Sequence, residues 1–183
     1  AVIDFSLPTN RGTIMCSGAW GNFGAFNERT GIVIMTGGGS DCLKGSSNFN
    51  DLTIDKDNSS LTIDINTTGS GGDQYIYGTL TLKTGKLDLS GSLSADSLIL
   101  LSDDQGTARI AEVEPNGSLI GDFVMQRYIT GNDGWHILSS PVANATLDDW
   151  HGEIPMSCID GIGSSDHTQP HWTSVYRYDE SVD

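Results

Sequence analysis

The sequence predicts an all-β protein in which a parallel β-helix or β-solenoid-like stack is followed by a partial β-sandwich-like module. Two observations support this prediction. Gly, Ser, Asp, Thr and Asn supply 89 of the 183 residues, and these types favour turns and strand edges over helix interiors. Short segments alternate apolar and polar residues, as strands with one buried face do, and they recur at a roughly regular spacing.

The charge of the chain is strongly negative and excludes several kinds of partner. There are 24 Asp plus Glu against 9 Lys plus Arg, which gives a formal net charge of −15. Nucleic acid and anionic membranes require a basic surface that so few cations cannot form. No apolar run reaches the roughly 20 residues of a membrane span. We therefore expect no nucleic-acid partner and no membrane insertion.

Strand-like segments follow one another through the first two thirds of the chain. They are T-I-M-C at 13–16, G-I-V-I at 31–34, D-L-T-I at 51–54, S-L-T-I at 60–63, T-L-T-L at 79–82, K-L-D-L at 86–89 and S-L-I-L at 97–100. Selected apolar positions have a mean spacing of 21 residues and are predicted to form one interior ladder: Ile14, Ile32, Leu52, Leu80, Leu98 and Leu119. Repeats of this length cannot bury an apolar face alone, so stacking would build their core. An antiparallel sandwich is the alternative, because it also has short strands at close spacing.

Residue types change near position 120. All four His, three of the four Trp and three of the five Pro lie beyond it, whereas most of the alternating segments lie before it. This change predicts two domains, a β-solenoid-like repeat segment at 1–122 and a β-sandwich-like module at 123–183 that is cut short.

Several phrases resemble the repetitive regions of large cell-surface proteins of Bacteroidota. The first module carries W-G-N-F-G-A-F-N-E-R-T-G-I-V at 20–33, N-D-L-T-I at 50–54 and G-T-L-T-L-K-T-G-K-L-D-L at 78–89. The second carries G-D-F-V-M-Q-R-Y-I at 121–129, G-W-H-I-L-S-S-P-V at 134–142 and V-Y-R-Y-D-E at 175–180, with His136 where that family usually has Arg. The match covers most of the chain.

The resemblance implies an adhesin-like protein that is exported by type IX secretion and displayed on the cell surface. In the family a C-terminal sorting domain meets the export machinery, and this sequence does not include one. We therefore expect the chain to be part of a longer protein. The family's segments of this kind have no catalytic residues attached to them.

Possible metal ligands occur in two places. Asp166, His167 and His171 have a spacing that suits a helix, but Pro170 would break that helix, so a surface loop is expected. The second group, Asp55, Asp57 and Asn58, offers oxygen ligands in a turn but lacks the Gly and distal Glu of an EF-hand. The adjacent pairs Asp103-Asp104 and Asp148-Asp149 would point to opposite faces of a strand. We predict no metal site, no cofactor and no catalytic residue.

Other residues allow further readings. The aromatic side chains of the second module could form sugar platforms or could fill a sandwich core: Trp135, Trp150, Trp172, Tyr176 and Tyr178. The three cysteines Cys16, Cys42 and Cys158 allow at most one internal disulfide. Glycan attachment is an alternative interpretation for two short patterns, the four N-x-S/T sequons at Asn58, Asn66, Asn116 and Asn144 and the segment Asp96-Ser97-Leu98.

These observations together predict a non-catalytic, extracellular structural or adhesive segment that acts as a stiff spacer at the cell surface. Surface polysaccharide and other copies of the chain are its expected partners. The alternative is a carbohydrate-binding or polysaccharide-processing β-helix. A hydrolase of that kind would need two carboxylates about 5–10 Å apart across a cleft.

Overall fold

The computed structural model describes residues 2–4, 12–57, 62–64, 72–90, 97–129, 140 and 146, with the backbone alone at 2–4 and 62–64. These residues contain β-strands and no helix, which confirms the prediction of an all-β chain. The strands are β1 Val2–Asp4, β2 Thr13–Cys16, β3 Trp20–Gly21, β4 Ala25–Asn27, β5 Ile32–Gly37, β6 Asp41–Lys44, β7 Ser47–Phe49, β8 Asp51–Lys56, β9 Thr62–Asp64, β10 Gln74–Ile76, β11 Thr79–Asp88, β12 Leu98–Leu100, β13 Arg109–Ile110, β14 Asn116–Ile120 and β15 Val124–Met125.

Each pairing between these strands is parallel. Within the described residues, the antiparallel contact is an isolated bridge between Ser102 and Thr107. Parallel neighbours need long connections, and in α/β proteins these usually contain helices. Here the connections contain strands that pair elsewhere. The antiparallel sandwich that was the alternative for this part of the chain is therefore wrong.

The strands form three series, which we call ladders. The first ladder contains β2, β5, β8, the N-terminal half of β11 and β13. The second contains β3, β6, β9, the C-terminal half of β11 and β14. The third contains β7, β10, β12 and β15, while β4 pairs with β1. From β5 onward the chain visits the first, second and third ladders in that order and then returns to the first.

Strand β11 connects two ladders without a break. Its Leu80 pairs with Leu52 of β8, and its Leu87 pairs with Ile63 of β9. The register shifts between Leu82 and Thr84, which is the signature of a β-bulge. Because β11 belongs to both series, the first and second ladders are parts of one nine-stranded sheet.

The core lies where apolar side chains of the same strand parity meet. The first ladder places Ile14, Val33, Leu52, Leu80 and Ile110 in register. The three middle residues are at most 1% exposed, and the two end residues are partly buried against the same core. Burying such a side chain contributes about 1.5–3 kcal/mol, so this row is a large part of the stability of the sheet.

The predicted interior ladder is correct at three positions and wrong at three. Ile14, Leu52 and Leu80 share a row, but Val33 rather than Ile32 stands between them. Ile32 has the opposite parity and is half-exposed. Successive positions of the true row are 19, 19, 28 and 30 residues apart.

Leu98 and Leu119 belong to other ladders. Leu98 lies on β12 and pairs with Gln74, and Leu119 lies on β14 and pairs with Leu87. The physical reason is that the number of residues between matched positions grows along the chain. A fixed period therefore reaches the wrong strand.

The chain divides into two compact units, Ala1–Asn132 and Asp133–Asp183. The fifteen strands of the described residues belong to the first unit, including β15, which begins beyond the predicted boundary at residue 122. The β-sandwich-like module predicted at 123–183 lies almost wholly outside the described residues.

The row in the first ladder makes Leu80 and Thr81 a matched pair for substitution. Leu80→Asp places a carboxylate between Leu52 and Ile110 and should lower the free energy of unfolding by about 4 kcal/mol. Thr81 points to the opposite face, so Thr81→Asp should change it by no more than about 0.5 kcal/mol. Urea unfolding of both variants measures this difference. Equal destabilisation by the two substitutions would show that the described row is not the core.

Candidate functional site

A buried ion pair occupies the bend where β8 ends. The side chain of Lys56 is fully buried, and its Nζ contacts Oδ2 of Asp41, at the start of β6. Nζ also donates a hydrogen bond of 2.8 Å to the carbonyl oxygen of Thr36. Asp41 keeps 17% of its side-chain surface exposed. The pair joins the first ladder to the second.

Glycines on both sides of Lys56 make this arrangement possible. Gly37 of β5 pairs with Lys56, and Gly85 of β11 lies against it from the other side. Both glycines have positive φ, 80° and 84°, a conformation that side chains disfavour. A Cβ at Gly85 would stand 2.8 Å from Cβ of Lys56. Glycine at these two positions therefore lets the chain turn beside the lysine without strain or a steric clash.

Hydrogen bonds fix the backbone of the same bend. Oγ1 of Thr84 donates to the carbonyl oxygen of Lys56 over 2.5 Å. Oγ1 of Thr36 donates to the carbonyl oxygen of Cys16 over 3.4 Å. The lysine is therefore held at its main chain and at its amino group, so the position of Nζ is well defined.

Because Lys56 is buried, the stability of its charge depends on contact with the carboxylate of Asp41. Desolvation of an ammonium group costs several kcal/mol, and a carboxylate in contact offsets much of that cost. Loss of one partner leaves the other charge buried and typically costs about 3–5 kcal/mol. Lys56 and Asp41 therefore depend on each other more than exposed ion pairs do. The exposed pair Lys83 and Asp55, with 3.5 Å between Nζ and Oδ2, is the contrasting case.

Carboxylates elsewhere connect consecutive strands of a ladder. Oδ1 of Asp51 accepts a 2.7 Å hydrogen bond from the backbone N–H of Thr79, 28 residues later. Oδ1 of Asp73 accepts one of 2.9 Å from the N–H of Ser97, 24 residues later. Asp thus acts between strands as well as within turns. The composition predicted Asp at turns and strand edges and did not reveal these bonds between strands.

Asp55 and Asp57, two of the three residues of the calcium-turn hypothesis, lie among the described residues. Asp55 lies within β8, and its Oδ1 accepts a hydrogen bond of 3.2 Å from Thr84. Asp57 is exposed after the strand, and Asn58 lies outside the described residues. Within the described part of the chain, no three His, Cys, Asp or Glu side chains form a group that could hold a metal ion.

Some of the other candidates from the sequence lie among the described residues, and the rest lie outside them. Asp103 caps its own turn, since its Oδ1 accepts hydrogen bonds from Gln105 and Gly106, and Asp104 is exposed beside it. Cys16 and Cys42 are free and partly buried. Several candidates lie outside the described residues: Asp148, Asp149, Asp166, His167, His171, Cys158, Trp135, Trp150, Trp172, Tyr176, Tyr178, Asn66, Asn144 and Asp96.

An aromatic cluster forms at the N-terminal side of the described core. The ring centroids of Trp20, Phe26 and Phe49 are 5.1–5.9 Å apart. Nε1 of Trp20 donates to Oγ of Ser47 over 2.9 Å, so the indole is used internally. Beside it, residues 19–26 line an open cleft of about 510 Å³ in which Phe23 is 75% exposed.

Two tyrosines stand on the outer side of the third ladder. Tyr75 lies in β10, and Tyr77 follows that strand and is exposed. The hydroxyl of Tyr75 donates to Oδ2 of Asp73 over 3.1 Å. This hydrogen bond to Asp73, with the negative charge of the same carboxylate, raises the pKa of Tyr75 above 10.0. The carboxylate orients the ring of Tyr75, while the side chain of Tyr77 is exposed.

Lys56 was not among the candidates predicted from the sequence, although the alternation of residues around it indicates its burial. In D-L-T-I-D-K at 51–56 the alternation places Lys56 on the same face as Leu52 and Ile54. Both of those residues are fully buried. Its partner could not be found in this way, because Asp41 approaches only after the chain bends between β5 and β6.

Comparison with known protein families, curated proteins and solved structures finds no match to this chain. In the residues that the structure describes, no helix has the length and hydrophobicity needed to cross a membrane.

The glycine beside Lys56 gives a direct test of this bend. Gly85→Ala combines a positive φ with a 2.8 Å approach to Lys56 and should lower the free energy of unfolding by about 2 kcal/mol. Gly106→Ala is the control, since a Cβ there meets no atom within 4 Å, and it should cost no more than about 0.5 kcal/mol. Chemical denaturation measures both values, and a harmless Gly85→Ala would contradict the described packing.

Proposed function

We propose that this chain is a β-solenoid-like spacer segment of an extracellular, surface-displayed adhesin-like protein. The observation that supports it best is the recurrence of the three ladders in one order, with parallel pairing between successive visits. In a closed solenoid each visit to the three ladders would form one coil. The coils would then share a single apolar interior.

A spacer of this kind resists bending because its interior is continuous. Leu52 lies between Val33 and Leu80, its partners on the two neighbouring strands of the first ladder, and all three are buried. Moving one coil against the next would expose these side chains and break the backbone hydrogen bonds between strands. The structure therefore favours a mechanical role over one that depends on domain motion.

The outer surface suits exposure to an aqueous medium. The net charge of −15 produces repulsion between copies and opposes nonspecific association. Export by type IX secretion and display at the cell surface rest on the sequence resemblance alone. In this proposal a C-terminal sorting domain would supply contact with the export machinery.

Carbohydrate binding is the second candidate, and specific side chains favour it. Phe23 is exposed in the cleft of residues 19–26, and Tyr77 is exposed beside the ordered Tyr75. Flat aromatic faces pack against sugar rings, and neighbouring amide and carboxylate groups bind hydroxyls. In this reading the spacer also carries a weak adhesive surface for polysaccharide.

Protease shaving of intact source cells tests surface display. We expect a protease added outside the cells to remove epitopes of this chain, while a periplasmic marker stays intact. Protection of the chain until the cells are lysed would contradict the proposal.

Pull-down on insoluble polysaccharides separates the two candidate functions. A pure spacer leaves the full chain in the supernatant. If the chain binds and either Phe23→Ala or Tyr77→Ala abolishes binding, the surface around that residue is adhesive. Thr81→Ala, on another face, is the control and should leave binding unchanged. Release of soluble sugar by the chain would replace both candidates with a polysaccharide-processing enzyme.

A further inference from the structure

The buried pair of Lys56 and Asp41 has the arrangement of two groups that can form a covalent bond. A primary amine and a carboxyl group are in contact, and the amine is fully enclosed. Their main chains are 15 residues apart and belong to different ladders. Condensation of an amine with a carboxyl group releases water, and the burial of the Lys56 side chain limits the access of water for the reverse hydrolysis.

We propose that Lys56 and Asp41 condense into an intramolecular amide that crosslinks β8 to β6. The proposal rests on the geometry of this bend and is independent of the proposed function. It makes Lys56 a site of covalent modification as well as a member of an ion pair.

The reaction balances within the pair. Asp41 first accepts a proton from the Lys56 ammonium, which leaves a neutral amine against a neutral carboxylic acid. The attack needs this neutral form, because an ammonium nitrogen has no lone pair to donate. The lone pair of Nζ attacks Cγ of Asp41, the C–N bond forms, and the C–O bond breaks. The hydroxyl leaves as water with a second proton from Nζ.

The surrounding residues position the amine for this step. The carbonyl oxygen of Thr36 accepts a hydrogen bond from Nζ at 2.8 Å, which fixes the direction of one N–H. The main chain of Lys56 is held by Thr84 on one side and by pairing with Gly37 on the other. Holding two reacting groups in contact replaces a bimolecular encounter and supplies much of the rate of such reactions.

The product would close a covalent ring that contains residues 41–56. The ring contains β6, β7 and the whole of β8, and so includes strands of all three ladders. A crosslink at this place would prevent those strands from separating even after the local hydrogen bonds break.

Mass spectrometry of the full 183-residue chain tests the proposal. After folding and incubation, the chain should be lighter than its sequence by one water, and digestion should yield a branched peptide that joins residues 41 and 56. The branched peptide is the decisive result, because cyclisation of an Asp with its own backbone also loses one water. A sample kept in denaturant from the time of synthesis should retain its full mass, since the contact requires the fold.

Variants identify the reacting groups. Lys56→Arg and Asp41→Ala should each restore the full mass and remove the branched peptide. Lys83→Met, which removes the exposed pairing with Asp55, should leave the loss of water unchanged. A folded wild-type chain of full mass would overturn the proposal, and so would a branched peptide that persists in Lys56→Arg. The folded wild-type chain decides the proposal, because a variant that fails to fold keeps its full mass for lack of the contact.

Discussion

In-register parallel pairing is the constraint on which the rest of this structure depends. When strands stack in parallel register, residues of the same parity meet those above and below them, so one misplaced side chain affects two neighbours. The row through Val33, Leu52 and Leu80 satisfies this condition with apolar side chains at every level. The chain can continue from one ladder to the next only if it bends sharply between them. Glycine and hydrogen-bonded polar groups meet that second requirement.

Two buried polar side chains, Lys56 and Gln74, lie at the ends of strands. Lys56 is the last residue of β8, and its charge is matched by Asp41 across the bend. Gln74 opens β10, and its Nε2 donates to the carbonyl oxygens of Gly45 and Gly72 over 2.5 and 2.6 Å. These side chains satisfy backbone groups that a turn would otherwise leave without partners. The same logic explains why Asp51 and Asp73 accept hydrogen bonds from the following strands: a carboxylate at a strand end reaches the next backbone N–H.

The sequence predicted the fold class correctly because alternation and a turn-rich composition act locally. It did not predict the register between strands. In G-I-V-I-M at 31–35 the apolar run is continuous, so the pattern does not reveal that Val33 faces inward and Ile32 outward. Leu98 was assigned to the wrong ladder because matched positions are 19 residues apart at first and 30 residues apart later. The burial of Lys56 follows from alternation, but its contact with Asp41 depends on tertiary geometry. For the same reason, the acids of the chain suggested turns and did not reveal the bonds that they make between strands.

Disulfide trapping between β8 and β11 tests the parallel register most directly. With Cys16, Cys42 and Cys158 replaced by Ser, the pair Thr53→Cys and Thr81→Cys is predicted to crosslink under mild oxidation, since these residues are direct partners. Neighbouring strands are about 4.8 Å apart, and this spacing lies within the range that a disulfide can bridge. The pair Thr53→Cys and Thr79→Cys is displaced by two residues, so its Cα atoms are about 8 Å apart, and it should remain reduced. Crosslinking of the displaced pair in preference to the aligned pair would contradict the register and, with it, the stacked interior on which the account depends.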